Sequence, residues 1–171
     1  GFDNYIRAFT KDQYFYKYFG NTLYFVVTLV PIVLALSLLL ARLINKKTSW
    51  VNNIYRVALF LPSITSTVAV SMVWLWIFNP DMGLINNFLM AIGLNDVPMW
   101  LGDTAWSKPA LVIMRVWQMG GYYMIMFLAG LQTIPETLYE AAELDGASGI
   151  QKFFRITLPL LSNPYTESAL L

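Results

Sequence analysis

Side chains that could carry out chemistry are few in this sequence, and their types restrict the possible functions. The 171 residues include neither cysteine nor histidine, which excludes thiolate nucleophiles, Cys/His metal sites and imidazole acid–base catalysis within the chain. The polar residues that remain of interest form two groups. One occupies residues 138–159, LYEAAELDGASGIQKFFRITLP, and the other surrounds Arg115 and Gln118 inside an apolar segment.

Residues 138–159 are predicted to form a helix, a glycine turn and a second helix. Thr133 and Glu136 have the spacing of a capping box at the start of the first helix. Gly146 follows the sequence ELD, where a left-handed turn would end that helix, and Pro159 is predicted to stop the second one. The alternative to a functional role is a helical pair that only packs on its own bundle.

The second group combines polar atoms with aromatic faces, which suits a sugar because sugars offer both hydroxyls and apolar C–H faces. Close packing between helices, which glycines permit, is the alternative. Arg115 lies about two turns from the predicted external end of its helix, so it either extends to the outer interface or faces a translocation path. The substrate-path candidates are Trp117, Gln118, Gly121 and Tyr122.

The composition predicts the elements that position both groups. The chain is 57% hydrophobic and 12% charged, whereas soluble domains are about 45–50% apolar and about 25% charged. A multi-pass membrane protein follows, and no basic run with interleaved aromatics indicates nucleic-acid binding. Residues 23–43, 57–78 and 109–131 each supply the roughly 20 apolar residues of a spanning helix. Pro31 and Pro62 are tolerated in such helices.

The loops predict the orientation in the membrane. Basic residues favour the cytoplasmic side, so the first loop is expected inside, the second outside and residues 138–159 inside. Gly1 is then external, and because no signal peptide precedes it, we expect a fragment that lacks at least one earlier spanning helix. The first loop carries Arg42, Lys46, Lys47 and Arg56, and the second carries Asp81, Asp96 and Asp103 against Lys108.

The external loop contains a short apolar run, residues 84–94, which is too short to span and is predicted to lie at the membrane interface. Four tryptophans surround this face. They either anchor the chain at the interface or stack on a sugar. They are Trp74, Trp76, Trp100 and Trp106.

The end of the chain carries a recognisable pattern, EAA-x3-G-x9-I-x-LP. It resembles the signature of binding-protein-dependent ABC importer permeases, and the resemblance extends to about Ser162. The flanking sequences GFDNY, GNTLYF, RVALFLP and LAGLQTIPETLYEAAELDGA resemble the carbohydrate-uptake branch, first-subunit type. The residues that the resemblance assigns to ATPase coupling are Glu140, Ala141, Ala142, Asp145, Gly146, Ile156, Leu158 and Pro159.

The resemblance implies an all-α, polytopic bundle in a prokaryotic inner membrane. Residues 1–162 would hold three spanning helices of a six-helix core, and residues 134–159 would be a cytoplasmic coupling element. The implied partners are an ABC ATPase dimer that binds ATP and Mg²⁺, a second permease subunit, a solute-binding protein, the lipid bilayer and a sugar-type substrate. No cofactor or metal is expected in this chain. Residues 163–171, NPYTESALL, are expected to be an atypical tail.

Three other classes of protein fit less well. A secondary, ion-coupled transporter would need carboxylates inside the membrane, and the three apolar segments contain neither Asp nor Glu. An enzyme would need a catalytic constellation, and GASGIQKF is not a phosphate-binding loop because its lysine lacks the preceding glycine. A purely structural subunit would not need the glycine-hinged stretch.

Overall fold

The structure, a computed structural model, describes residues 1–45, 50–94 and 96–162. All regular secondary structure in these ranges is helical, which confirms the predicted all-α class. The elements in chain order are α1 (Asp3–Thr10), α2 (Phe15–Ile44), α3 (Trp50–Ile64), α4 (Thr67–Ile77), α5 (Leu84–Ala91), α6 (Ser107–Thr133), α7 (Glu136–Leu144), α8 (Gly149–Lys152), a π-helical turn (Phe153–Thr157) and α9 (Leu158–Ser162).

Within the described ranges, two helices are each long and apolar enough to cross a membrane, α2 with 30 residues and α6 with 27. They contain the predicted segments 23–43 and 109–131 and extend beyond them at both ends. At 1.5 Å per residue they are about 45 and 40 Å long, which exceeds the roughly 30 Å hydrocarbon core. Pro31 lies inside α2 without ending it.

The predicted segment 57–78 is not one continuous helix. It is divided between α3 and α4, which form a candidate span only as a broken pair. The interruption is at Ser66, whose ψ of 131° is extended, whereas Pro62 lies inside α3. Apolar residues lie on both sides of Ser66, so hydropathy alone could not reveal the interruption.

The chain divides into two compact units. The first comprises Gly1–Leu34 and Thr65–Met119. Its core is rich in aromatic residues. The buried amide of Asn86 holds the loop between α4 and α6 together: its Nδ2 donates to Pro80 O at 3.1 Å and to Pro98 O at 3.2 Å, and its Oδ1 accepts from Trp100 Nε1 at 2.7 Å. The buried core consists of Val70, Trp74, Phe78, Trp100, Ala110 and Met114.

The second unit comprises Ala35–Ile64 and Gly120–Leu171. Its helices approach closely at Gly121, where an added Cβ would lie 1.9 Å from the carbonyl oxygen of Leu59. The buried Ser37 hydroxyl donates to Gly120 O at 2.8 Å, which links α2 to α6. The buried core consists of Ala41, Ile44, Met124, Leu128 and Leu131.

Candidate functional site

The stretch with the signature pattern forms two helical arms joined at a glycine. Gly146 ends α7 with a φ of +76°, the left-handed conformation predicted for it. Its N–H donates to Glu143 O at 2.9 Å, and the N–H of Ala147 donates to Ala142 O at 2.8 Å. These hydrogen bonds give partners to carbonyl groups that would otherwise have none at the end of α7. We call residues 136–162 the two-arm element.

The predicted capping box at Thr133 is wrong. Thr133 is the last residue of α6, and its Oγ1 donates back to Gly130 O at 2.8 Å. Helix α7 has Pro135 at its N-cap, without a side-chain cap. A capping box does occur at α8, where Ser148 and Gln151 exchange side-chain and backbone bonds, and the sequence spacing S-x-x-Q could have revealed it.

The prediction that Pro159 stops the second arm is also wrong. Helix α9 runs through Pro159 to Ser162. A π-helical turn, Phe153–Thr157, comes directly before it. Proline has no N–H to donate and its ring crowds the preceding turn, so the wider π turn gives the chain a path that continues past the proline.

Two side-chain contacts join the arms of the two-arm element, and a third joins the element to α2. Lys152 forms an ion pair with Glu143 across the glycine turn, and the hydroxyls of Tyr139 and Thr157 are 2.9 Å apart. The guanidinium of Arg42, near the end of α2, lies 5.3 Å from the Phe153 ring centre. None of these contacts has a signal in the sequence, because the partners are distant along the chain.

The candidate coupling residues do not form a single cluster. Four of them, Ala142, Asp145, Gly146 and Ile156, line one groove of about 350 Å³. The groove is completed by Ala147, Gln151, Lys152 and Arg155. Outside the groove lie Glu140, Ala141, Leu158 and Pro159, all on the exposed surface.

Large apolar side chains are exposed on the same two-arm element. Leu144 is 91% exposed, Ile150 is 72% exposed and Phe154 is 61% exposed. They flank the glycine turn on both arms. Exposed apolar side chains that lie close together mark surfaces that contact another protein or a membrane.

The polar group on α6 is built around one hydrogen bond. Arg115 Nη1 donates to Gln118 Oε1 at 2.8 Å, and Gln118 is 5% exposed. The ring of the neighbouring Trp117 lies 5.7 Å from that of Trp74 in an edge-to-face arrangement. The indole N–H of Trp74 is buried and has no hydrogen-bond partner in the described part of the chain.

The other two substrate-path candidates, Gly121 and Tyr122, are differently placed. Gly121 packs against the backbone of α3, as described above, which supports the packing alternative for this residue. Tyr122 is 51% exposed and contacts the Tyr123 ring at 5.5 Å. Within the described residues, no cluster of carboxylates could hold a metal ion.

Comparison with known proteins defines the class. Residues 33–171 match the family described as "Binding-protein-dependent transport system inner membrane component". The chain is 37% identical over 162 residues to the lactose transport system permease protein LacF of Rhizobium radiobacter, covering 94% of this chain and 54% of that protein. It is 34% identical to the sn-glycerol-3-phosphate transport system permease protein UgpA of Yersinia enterocolitica, covering 95% and 54% respectively.

Solved structures agree. A chain in the crystal structure of a bacterial ABC transporter involved in the import of the acidic polysaccharide alginate superposes with a TM-score of 0.80 and 31% identity, over 94% of this chain and 56% of that one. A second structure, in complex with an alginate pentasaccharide-bound periplasmic protein, gives a TM-score of 0.82 at 31% identity, over 95% and 56% respectively.

The chain therefore belongs to the family of binding-protein-dependent transport system inner-membrane components. It spans about half the length of the curated relatives it matches. The family match reaches residue 171, past the point near Ser162 where we expected the resemblance to end. The structure of residues 163–171, the expected atypical tail, lies outside the described ranges.

Proposed function

We propose that this chain is part of the permease subunit of an ATP-driven importer, with a sugar or related solute as its cargo. The family match and the named sugar-transport relatives support this assignment. The proposed partners are an ATPase subunit dimer, a second permease subunit and an external solute-binding protein. ATP and Mg²⁺ are bound by the ATPase, and this chain contributes no ATPase site of its own.

The observation that carries the proposal is the two-arm element. It offers exposed apolar side chains, such as Leu144 and Phe154, beside a groove lined by the glycine turn. Apolar anchors surrounded by polar residues are typical of protein–protein interfaces. The ATPase subunit is the partner that we propose for this surface.

The contacts within the element make it suitable as a lever. The Glu143–Lys152 ion pair and the Tyr139–Thr157 hydrogen bond join its two arms. Only two residues separate the end of α6 at Thr133 from the start of α7 at Glu136. A displacement of the element by the ATPase would therefore be transmitted to α6, and through Arg42 and Phe153 to α2.

A secondary, ion-coupled transporter is the alternative function. It would couple transport through ionisable residues within the membrane. Neither α2 nor α6 contains Asp or Glu, and the bent pair α3 and α4 contains none either. The charges of the described spanning helices therefore favour the ATP-driven alternative.

The test uses the full-length subunit, assembled with its partners in sealed vesicles and offered lactose or sn-glycerol 3-phosphate. We expect uptake of one of these to require ATP, the ATPase subunit and the binding protein, and to be unaffected by a protonophore. Uptake that continues without the ATPase subunit and stops on addition of the protonophore would identify an ion-coupled transporter instead.

A further inference from the structure

The first helix of the chain, α1 (Asp3–Thr10), has an apolar face and a polar face, and it contains no buried residue. At 3.6 residues per turn, the apolar side chains of the helix and its flanking residues share one side, and the polar side chains share the opposite side. The apolar face consists of Phe2, Tyr5, Ile6 and Phe9, and the polar face of Asp3, Asn4, Arg7 and Lys11.

The apolar face of α1 is exposed over its whole length. Phe2, at one end, is 80% exposed, and Ile6, in the middle, is 58% exposed. Single apolar side chains on a surface are common, but a continuous group of them marks a site that contacts a membrane or another molecule. The apolar face of α1 therefore requires a partner.

Two contacts fix α1 to the beginning of the spanning helix α2. The hydroxyl of Tyr16 donates to Phe9 O at 3.1 Å, and the rings of Phe9 and Phe15 are 4.7 Å apart, edge to face. The length of α2, about 45 Å at 1.5 Å per residue, matches the roughly 40–45 Å of a bilayer with its headgroup regions. The first turn of α2, with α1 attached to it, is thereby placed at a membrane–water interface.

The distribution of aromatic residues follows the same depth. Eight of the first 19 residues are aromatic, four of them tyrosine, whereas only two of residues 20–44 are. Tyrosine is enriched at membrane interfaces because its ring is apolar and its hydroxyl is hydrated. An aromatic content that falls where the membrane core begins favours lipid, rather than a protein, as the partner of α1.

The polar face of α1 carries positive charge beside a groove. Arg7 and Lys11, one turn apart, line this groove of about 380 Å³, and neither forms an ion pair in the described part of the chain. Asp12 lines it as well, but its Oδ1 already accepts the N–H of Tyr14 at 2.8 Å. A phosphate group would give both cations charge-assisted hydrogen bonds. The groove is completed by Asn4, Ala8 and Gln13.

We propose that α1 lies on the membrane surface, with its apolar face among the acyl chains and with Arg7 and Lys11 bound to the headgroup of an anionic phospholipid. Helices of this kind bind through their buried apolar area and through attraction to anionic lipids. The proposal goes beyond the transport function and holds for any solute that the permease carries. It gives α1 the role of fixing the depth at which α2 begins.

Two spin-labelled variants test which face of α1 meets the membrane. Ile6→Cys and Asn4→Cys place the label on opposite faces of a chain without cysteine, in the complete transporter in lipid nanodiscs with any other cysteines replaced. The label's collision rate is measured with oxygen, which concentrates among acyl chains, and with a water-soluble nickel chelate. We expect the oxygen-to-nickel ratio to be at least about fivefold higher at Ile6, because such a face is buried about 5–10 Å into the interface.

Three other results would each overturn the proposal. Equal ratios at the two positions would show that both faces of α1 are in water. A label at Ile6 that neither reagent reaches would show that a protein segment covers the apolar face. Shielding that develops only after the solute-binding protein is added would identify that protein as the partner. Both labelled positions are exposed, so the fold does not depend on either side chain.

The headgroup contact is tested separately by amide hydrogen exchange of residues 4–10 in the complete transporter. Nanodiscs of phosphatidylcholine are compared with nanodiscs that also contain phosphatidylglycerol. We expect exchange at least about tenfold slower with phosphatidylglycerol, because each cation at an anionic surface adds to binding. Equal exchange in the two lipids would refute the anionic headgroup contact.

Substitution of the two cations shows whether the groove is responsible. The double variant Arg7→Gln, Lys11→Gln should exchange at the same rate in both lipids. Lys17→Gln is the control, because it removes a cation from the first turns of α2, outside the groove, and it should keep the difference between the lipids. A double variant that keeps the full difference would contradict the proposal, as would a control that loses it.

Discussion

At the scale of single residues, a substitution at Gly146 tests the effect of backbone strain without a steric clash within the chain. Its φ is +76°, and an added Cβ would meet no atom within 4 Å. Gly146→Val should therefore cost roughly 1–2 kcal/mol or more through the backbone alone, which is small beside the insertion energy of apolar helices. We expect a near-normal amount in the membrane, with less co-purified ATPase and less uptake.

Gly149→Ala provides the matched control for that variant. Gly149 also has open space around its Cβ position, but its φ is not in the left-handed region. The control should retain full ATPase association and uptake. A fully coupled Gly146→Val protein would refute the hinge assignment, and its loss from the membrane would show that the glycine serves folding.

The Tyr139–Thr157 contact offers a second test of the two-arm element. The two hydroxyls are 2.9 Å apart and partly buried, and such a bond contributes about 0.5–1.5 kcal/mol. Tyr139→Phe and Thr157→Val should each lower the thermal midpoint of the purified complex and the uptake per ATP hydrolysed. The double variant should lose less than the sum of the two; strict additivity would mean that the hydroxyls act independently.

The left-handed conformation at Gly146 could be predicted because glycine is the residue that most readily adopts it at the end of a helix. The prediction failed at Thr133 for an equally local reason: the helical pattern of α6 continues through this residue, so a cap motif falls inside a helix. The contact between Trp74 and Trp117 could not be predicted, because it depends on the packing of two helices that are distant along the chain.

At the scale of elements, two adjacent glycines on α6 have opposite environments. An added Cβ at Gly121 would lie 1.9 Å from Leu59 O, whereas one at Gly120 would meet only Ser37 Oγ, at 3.9 Å. Gly121→Ala should therefore force α6 away from α3 and cost about 1–3 kcal/mol. We expect a lower thermal midpoint and a lower amount in the membrane.

Gly120→Ala is the control for this packing contact, because it adds the same methyl group one residue away. It should leave the thermal midpoint and the amount of protein in the membrane close to those of the wild type. If Gly121→Ala keeps normal stability but changes which solute is taken up, then Gly121 faces the substrate path and the packing alternative is wrong.

Hydropathy predicted the membrane elements well where a single helix crosses, as in α2 and α6. It failed at Ser66, since the helix is interrupted there although apolar residues lie on both sides. The π-helical turn before Pro159 was missed for a different reason: sequence patterns assume a constant helical period, and this turn departs from it.

At the scale of the whole molecule, the orientation in the membrane is the prediction that most needs a measurement. It depends on the basic first loop, of which Lys46 and Lys47 lie outside the described residues. Leu144→Cys and Met99→Cys, at positions that are 91% and 59% exposed, place one thiol each in a chain without cysteine. An impermeant reagent should label Met99→Cys in intact cells and Leu144→Cys only in inside-out vesicles. The opposite pattern would invert the topology.

The family could be predicted from the sequence because the EAA-type pattern keeps its spacing within one short stretch. The identity of the cargo could not be predicted in the same way. It depends on which side chains line the substrate path in the folded protein, and no pattern of comparable spacing in the sequence marks them.

The buried amide of Asn86 has a consequence for the order in which the protein is made. One side chain bonds to the carbonyls of Pro80 and Pro98 and to the indole of Trp100, so the loop between α4 and α6 cannot close until the last of these residues has been synthesised. Closure of this loop, rather than formation of α4, is then the event that gives the loop its final shape.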